Sequence, residues 1–207
     1  MDEPRRDFDE LNTLDAEDLQ PAASRRRQIF TAVICVLIVV LLAVTSALLV
    51  KTYVIATFTV DGISMYPTLD GGGGSQLDGD AQNGETLYLN RLAKIRRGDI
   101  VVFTPEWTGT SGKSLVKRVI AVAGDHLQII DGKVYLNGDL LDEPYLNEKM
   151  SHDHDGLDVV VSQGHIFCMG DNRNHSSDCR SFGEASLEWV VGRCFLIKGL
   201  NGKLRKP

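Results

Sequence analysis

The sequence predicts a mainly β domain behind one N-terminal transmembrane helix. Residues 29–50 form a run of 22 residues without a charged side chain, and a helix needs about 20 apolar residues to cross a bilayer. The rest of the chain has short runs of apolar and β-branched residues separated by Gly, Asn and Asp. That pattern is typical of strands joined by tight turns.

The N-terminal part predicts a membrane anchor with a cytoplasmic tail. Residues 1–28 carry eight acidic and five basic side chains and few large apolar ones, so we expect a disordered tail. Three arginines, 25–27, precede the apolar run and Lys51 follows it. The positive-inside rule then places residues 51–207 outside the cytoplasm. A cleaved signal peptide and a buried core helix are the alternatives. The run exceeds the roughly 7–15 residues of a signal-peptide core, and globular helices rarely stay apolar all round.

The extracytoplasmic part, 51–207, is expected to be β-rich. Asp131-Gly132 and Asn137-Gly138 lie between apolar runs and are typical of hairpin turns. Segment 70–84 is rich in glycine and lacks aromatic residues, which favours a flexible surface loop. The predicted strands are 53–60, 86–90, 99–103, 115–122, 127–130, 134–136, 159–161, 165–169 and 190–197.

Composition excludes several classes of function. The net charge is 22 minus 28, or −6, which disfavours a general nucleic-acid binder. The four cysteines lack the spacing of a metal-binding motif, so we expect neither a metal nor an organic cofactor. Cys168 and Cys194 both lie in apolar runs, where a disulfide and buried free thiols are both consistent with the sequence.

The first candidate for chemistry is Ser64. The segment 60–69 runs from a predicted strand into a turn at Pro67. A hydroxyl at such a turn is exposed beside free main-chain N–H groups, as a nucleophile and its oxyanion site require. Taken alone, a serine in this position more often only forms the turn.

The second candidate is Lys117. The five histidines lie in loop or undistinguished settings, which do not suggest the base of a catalytic triad. Lys117 belongs to predicted strand 115–122, where alternation places it on one face with three apolar residues, Leu115, Val119 and Ala121. Burial there would lower its pKa, and the neutral amine could then accept the Ser64 proton. The alternative is a lysine whose amine reaches water.

A third segment, 170–180, is dense in short polar side chains and contains two Asp and two Arg residues. Such residues bond locally to the backbone and to one another, so the loop is expected to be rigid. It could orient the lysine, or it could be only an elaborate turn.

Together these segments resemble the type I signal peptidases of bacteria, which are membrane-bound serine proteases that remove signal peptides. The resemblance spans nearly all of 58–197, and several linked motifs in the right order are more specific than any one alone. The motifs are SMYPTL (64–69), RGDIVVF (97–103), VKRVIAVAGD (116–125) and GDNRNHSSDCR (170–180).

The resemblance implies a serine–lysine dyad and an acyl-enzyme, with Ser64 as nucleophile and Lys117 as general base. It implies that the Ser64 amide is an oxyanion donor and that Ser176 orients the lysine amine. Membrane-held preproteins would bind as an added extended strand, with small side chains at P1 and P3. The implied supporting residues are Asp171, Arg173, Asp178 and Arg180.

Some positions depart from the family pattern. Gly62 stands where some members have a serine that completes the oxyanion hole, so that second donor is absent or comes from elsewhere. Cys179 stands where serine is usual, and Ala121 and Ala123 replace a common glycine and proline. None of these changes removes a proton-transfer group.

Two other functions compete with the protease. A non-catalytic assembly factor or pilin chaperone of this fold would usually lack the serine or the lysine, and both are present here. A soluble self-cleaving repressor with a serine–lysine dyad is disfavoured by the apolar run and by the lack of a DNA-binding domain in the sequence.

Overall fold

A computed structural model describes residues 22–72, 84–107 and 112–207. Most of the predicted tail (1–21) and of the predicted glycine-rich loop (73–83) lies outside the described residues. The chain divides between Leu48 and Leu49 into two compact units.

The first unit is built on helix α1, Ala22–Tyr53. Its portion Arg25–Tyr53 is long and apolar enough to cross a membrane, by criteria that a signal sequence also meets. The helix extends beyond the predicted span 29–50 at both ends. Residues 22–28, assigned above to the tail, are helical because Ala, Arg and Gln are good helix formers that can continue the first turns.

The second unit is mainly β, as predicted. The strands are β1 Ile55–Thr59, β2 Thr86–Asn90, β3 Ile100–Phe103, β4 Leu115–Val122, β5 His126–Ile130, β6 Lys133–Leu136, β7 Asp139–Leu140, β8 Asp158–Val160, β9 His165–Met169, β10 Ala185–Ser186, β11 Val190–Lys198 and β12 Leu204–Arg205. The larger sheet has the antiparallel order β1-β2-β11-β3-β4-β9-β10, with β12 beside β11, and the smaller sheet has the order β7-β6-β5-β8. A short helix, α2 Cys179–Phe182, and three 3₁₀ helices, His152–His154, Arg173–His175 and Leu187–Trp189, complete the elements of the described residues.

The two predicted hairpin turns are confirmed. Asp131 and Gly132 have φ values of 52° and 65°, and they connect β5 to β6 where Ile130 pairs with Lys133. Asn137, with φ 55°, and Gly138 connect β6 to β7 in the same way. Positive φ at both turn positions matches the right-handed twist of the paired strands.

Both faces of the larger sheet are buried. Val101 and Phe103 of β3 belong to one core, which also includes apolar residues of the smaller sheet. Ile100 and Val102 belong to the other core, because successive side chains of a strand point to opposite faces.

The two cysteines that the sequence placed in apolar runs lie in different cores. Cys168 packs in the first core and Cys194 in the second. Both are buried free thiols. Of the two alternatives left open by the sequence, the free thiols are therefore the ones observed.

Candidate active site

Ser64 lies in the segment that follows β1. The segment is held by two fully buried apolar side chains, Met65 and Leu69. It turns through main-chain hydrogen bonds from Tyr66 N to Ile63 O at 3.0 Å and from Leu69 N to Met65 O at 2.9 Å. The predicted turn is therefore present, and Ser64 lies within it rather than at the last residue of the strand.

Lys117 lies in β4, between β3 and β9, and is 3% exposed. Its Nζ is 2.7 Å from the Oγ of Ser64, although the two residues are 53 positions apart in the chain. The three apolar residues predicted to share its face, Leu115, Val119 and Ala121, all pack in the first core, although a register shift between Val119 and Ala121 interrupts the strict alternation. The structure thus brings the two principal candidates into direct contact.

The surroundings of Lys117 favour its neutral form. Burial lowers the pKa of Lys117 below its ordinary value of 10.5, and the nearby Asp178 carboxylate opposes this with a smaller effect. Among the described residues, no carboxylate forms an ion pair with this amine; Asp178 is paired with Arg180 instead. A neutral amine has the lone pair that a general base needs.

Asp178 is fully buried and accepts several hydrogen bonds. Arg180 donates to both of its oxygens, each at 2.9 Å. The amide of Gly170 donates at 2.9 Å and the hydroxyl of Ser176 at 2.7 Å. Burial alone would raise the pKa of Asp178, but these bonds and the Arg180 charge hold it below the usual value. The carboxylate is therefore ionised and fixed.

Ser176 lies against the main chain that carries the nucleophile. A Cβ atom placed on Gly170 would be 2.3 Å from the Ser176 Oγ and 2.4 Å from the Ser64 carbonyl oxygen, so only glycine fits between them. Within the described residues, the hydroxyl of Ser176 bonds to Asp178. Its predicted role in orienting Lys117 stays a prediction.

Asp171 and Arg173 hold the same loop through partners that the sequence analysis did not identify. Arg118 donates to the two oxygens of Asp171 at 2.9 and 2.7 Å. Arg173 binds both oxygens of Glu143, with Nη1 3.0 Å from Oε2. Glu143 is 30 residues from Arg173, and no local pattern in the sequence marks it.

Asn172 was also missed, and it fixes the nucleophile segment directly. Its main-chain N–H donates to the carbonyl of Ser64 at 3.0 Å, and its side-chain amide donates to the carbonyl of Ile63 at 3.0 Å. The loop that carries Asp178 is thereby bonded to the segment that carries the hydroxyl.

The arrangement is suited to nucleophilic catalysis by a hydroxyl. A partly exposed serine Oγ contacts a buried amine with a lowered pKa, and a rigid loop with paired charges holds both segments in place. A serine activated by an adjacent base can form a covalent acyl intermediate.

The chain is similar in sequence to known signal peptidases. Residues 30–198 match the family model described as signal peptidase, peptidase S26. The chain is 35% identical over 156 residues to signal peptidase I S of Bacillus subtilis, a match that covers 69% of this chain and 75% of that protein. It is 34% identical over 166 residues to signal peptidase I T of the same organism, covering 74% and 78%.

A plant protein and a solved structure are also similar. Thylakoidal processing peptidase 1 of Arabidopsis thaliana is 32% identical over 160 residues, covering 73% of this chain but 44% of the plant protein. The crystal structure of a signal peptidase I from Enterococcus faecalis is 29% identical and covers 49% of this chain and 97% of that one, with a TM-score of 0.41.

Proposed function

The chain belongs to the signal peptidase family, peptidase S26, and we propose that it removes N-terminal signal peptides from exported preproteins with Ser64 as nucleophile and Lys117 as general base. Its class is that of a serine protease, a hydrolase. The observation that carries the proposal is the 2.7 Å contact between the Lys117 Nζ and the Ser64 Oγ. A buried lysine that forms no ion pair with a carboxylate of the described residues, and that contacts a hydroxyl, is suited to the role of a general base.

In the proposed mechanism, the Ser64 Oγ attacks the scissile carbonyl carbon and its proton passes to the Lys117 Nζ. The carbonyl electrons move onto oxygen, and the main-chain N–H of Ser64 donates a hydrogen bond to that oxyanion. When the oxyanion collapses, the C–N bond breaks and Lys117 returns the proton to the leaving amine. The acyl group stays on the Ser64 oxygen.

Deacylation repeats these transfers with water. A water molecule attacks the ester carbonyl and gives its proton to Lys117, and Lys117 then protonates the departing Ser64 oxygen. Each time Lys117 becomes charged, the ionised Asp178 stabilises the ammonium. Burial and the Arg180 charge act in the opposite direction and hold the pKa of Lys117 below its ordinary value, so the ammonium can give up its proton in each step.

We further propose that helix α1 anchors the enzyme in the cell membrane, where its preprotein substrates are also held. The length and apolar character of Arg25–Tyr53 support the anchor. The three arginines at 25–27, against the single Lys51, support a cytoplasmic N-terminus and an extracytoplasmic catalytic unit.

The test is a cleavage assay with the full chain in detergent and a preprotein that has small residues at P3 and P1. We expect Ser64→Ala and Lys117→Ala each to abolish cleavage while the β unit stays folded. Lys113→Ala and Ser162→Ala are matched controls, because both positions are exposed. In the unsubstituted enzyme, kcat/KM should rise with pH through a group that titrates below 10.5, since only the neutral Lys117 accepts a proton.

Cleavage retained by either dyad variant would overturn the proposal. A chain that binds preproteins but cuts none at any pH would instead support the non-catalytic assembly factor or chaperone.

A further inference from the structure

We propose that Glu143 is a positioning residue for the dyad, acting through Arg173 on the loop 170–180. The inference rests on the proposed function and deepens it, because it adds a carboxylate outside the three motifs to the machinery of the lysine base.

Glu143 is held in one orientation by its bonds. Its side chain is 8% exposed and that of Arg173 is 1% exposed. Both guanidinium Nη atoms of Arg173 donate to the carboxylate, and the hydroxyl of Tyr145 donates to its Oε1 at 2.7 Å. A bidentate pair of this kind restricts orientation as well as distance.

Arg173 carries this restraint into the loop beside the dyad. Its Nε donates to the carbonyl of Gly170 at 3.1 Å, and its own carbonyl accepts from Arg180 at 2.7 Å. Arg180 in turn binds Asp178. Gly170 is the residue wedged between the Ser64 carbonyl and Ser176. Two successive hydrogen-bonded contacts, Glu143 to Arg173 and Arg173 to Gly170, therefore connect Glu143 to a residue beside the nucleophile segment.

Tyr145 extends the same support to the residue next to the base. Its ring centroid lies 4.1 Å from the Cζ of Arg118, and Arg118 binds Asp171. Arg118 directly follows Lys117 in β4. The segment 143–145 thus contacts Arg118 and Arg173, and these two arginines bind the loop at different residues.

Glu143 also neutralises the buried charge of Arg173. Arg173 and Arg180 are both buried and are paired with Glu143 and Asp178 respectively. Without the Glu143 carboxylate, Arg173 would be a buried cation with no carboxylate partner among the described residues. Such a charge draws in water or displaces the chain around it. Displacement of Gly170 would misalign the Ser64 and Ser176 hydroxyls.

The test begins with Glu143→Gln, which keeps the side-chain volume and removes the charge. We expect kcat on a preprotein to fall roughly 10- to 100-fold, the effect of small misplacements of reacting groups, while KM stays nearly constant. Glu148→Gln is the matched control, because Glu148 also bonds the loop, through Asn174 at 2.9 Å, but is exposed. Its kcat should be unchanged. An unchanged kcat in Glu143→Gln would overturn the inference.

A double variant separates positioning from stability alone. Glu143→Leu with Arg173→Met removes both buried charges, and replacing a buried ion pair by apolar residues often restores stability. We expect the double variant to recover thermal stability relative to Glu143→Gln but not kcat, because Gly170 has lost its Arg173 bond. Recovery of both would overturn the inference. Ser64→Ala in the same assay separates the two proposals, since activity retained there defeats the proposed function itself.

Discussion

Burial of Lys117 destabilises the folded state, but the proposed reaction requires it, because burial favours the neutral amine. In the unfolded chain its amine is protonated at neutral pH, whereas burial lowers its pKa in the folded chain. Folding therefore has to pay for desolvating the charge or for removing the proton. The carboxylate with the largest effect on the lysine is Asp178, and it is paired with Arg180. Among the described residues, no ion pair with Lys117 therefore offsets the free-energy cost of burying its amine.

Lys117→Met should accordingly stabilise the β unit at neutral pH. We expect a gain of roughly 0.5–2 kcal/mol in unfolding free energy, the range common for single stabilising substitutions. The unfolded lysine binds more protons than the folded one between its lowered pKa and 10.5, so the stability of the unsubstituted protein rises with pH in that window. The advantage of the Met variant should then shrink as the pH approaches 10.5. Thermal unfolding at several pH values measures this, and a gain independent of pH would contradict it.

The site residues divide into those that sequence could predict and those that it could not. The local sequence predicts a turn after a strand around Ser64 and a strand with an apolar face around Lys117. Both features are present in the folded protein. Glu143 and Asn172 act through contacts with residues 30 and 109 positions away in the chain. Only the three-dimensional structure brings such partners together.

At the scale of elements, strand β4 carries the proposed general base. Its β-branched and apolar residues are suited to a strand buried on both faces, and its bounds agree with the prediction. The strands that were missed, β7, β10 and β12, have two residues each. Alternation cannot be recognised over two residues, so these strands exist only because neighbouring strands offer them hydrogen bonds.

The glycine-rich segment should be removable, because its base is closed by its own bonds. Glu85 N donates to Asp70 O at 2.9 Å, and Asp70 N donates to the Glu85 carboxylate at 3.1 Å. Deleting 73–83 and joining Gly72 to Gly84 leaves three residues between Asp70 and Glu85, enough for a hairpin connection. We expect unchanged kcat/KM and a gain of roughly 1 kcal/mol from the shorter loop, measured by cleavage assay and thermal unfolding.

A control for this deletion retains its length but opens the base. Gly84→Ala places a Cβ 1.8 Å from the carbonyl oxygen of Val60, where it cannot fit without moving the chain. It should destabilise the protein although the loop is intact. If the deletion lowers kcat/KM while Gly84→Ala is harmless, the segment takes part in the reaction and the prediction is wrong.

At the scale of the whole molecule, the chain divides within helix α1, between Leu48 and Leu49, so most of the apolar helix lies in the first unit. Both hydrophobic cores belong to the second unit, as do Ser64, Lys117 and every residue bonded to them in the part of the chain that the structure describes. The first unit is therefore expected to supply location rather than chemistry.

A chain of residues 54–207 should fold and keep its kcat/KM on a short soluble peptide with small residues at P3 and P1. On a preprotein embedded in vesicles it should lose roughly 100-fold or more relative to the full chain in the same vesicles, because a shared bilayer raises the effective concentration of enzyme and substrate. The comparison needs both substrates, with Ser64→Ala as the blank for each. Equal losses on both substrates would mean that the helix supports the fold of the site, and no loss on either would mean that anchoring contributes nothing to processing.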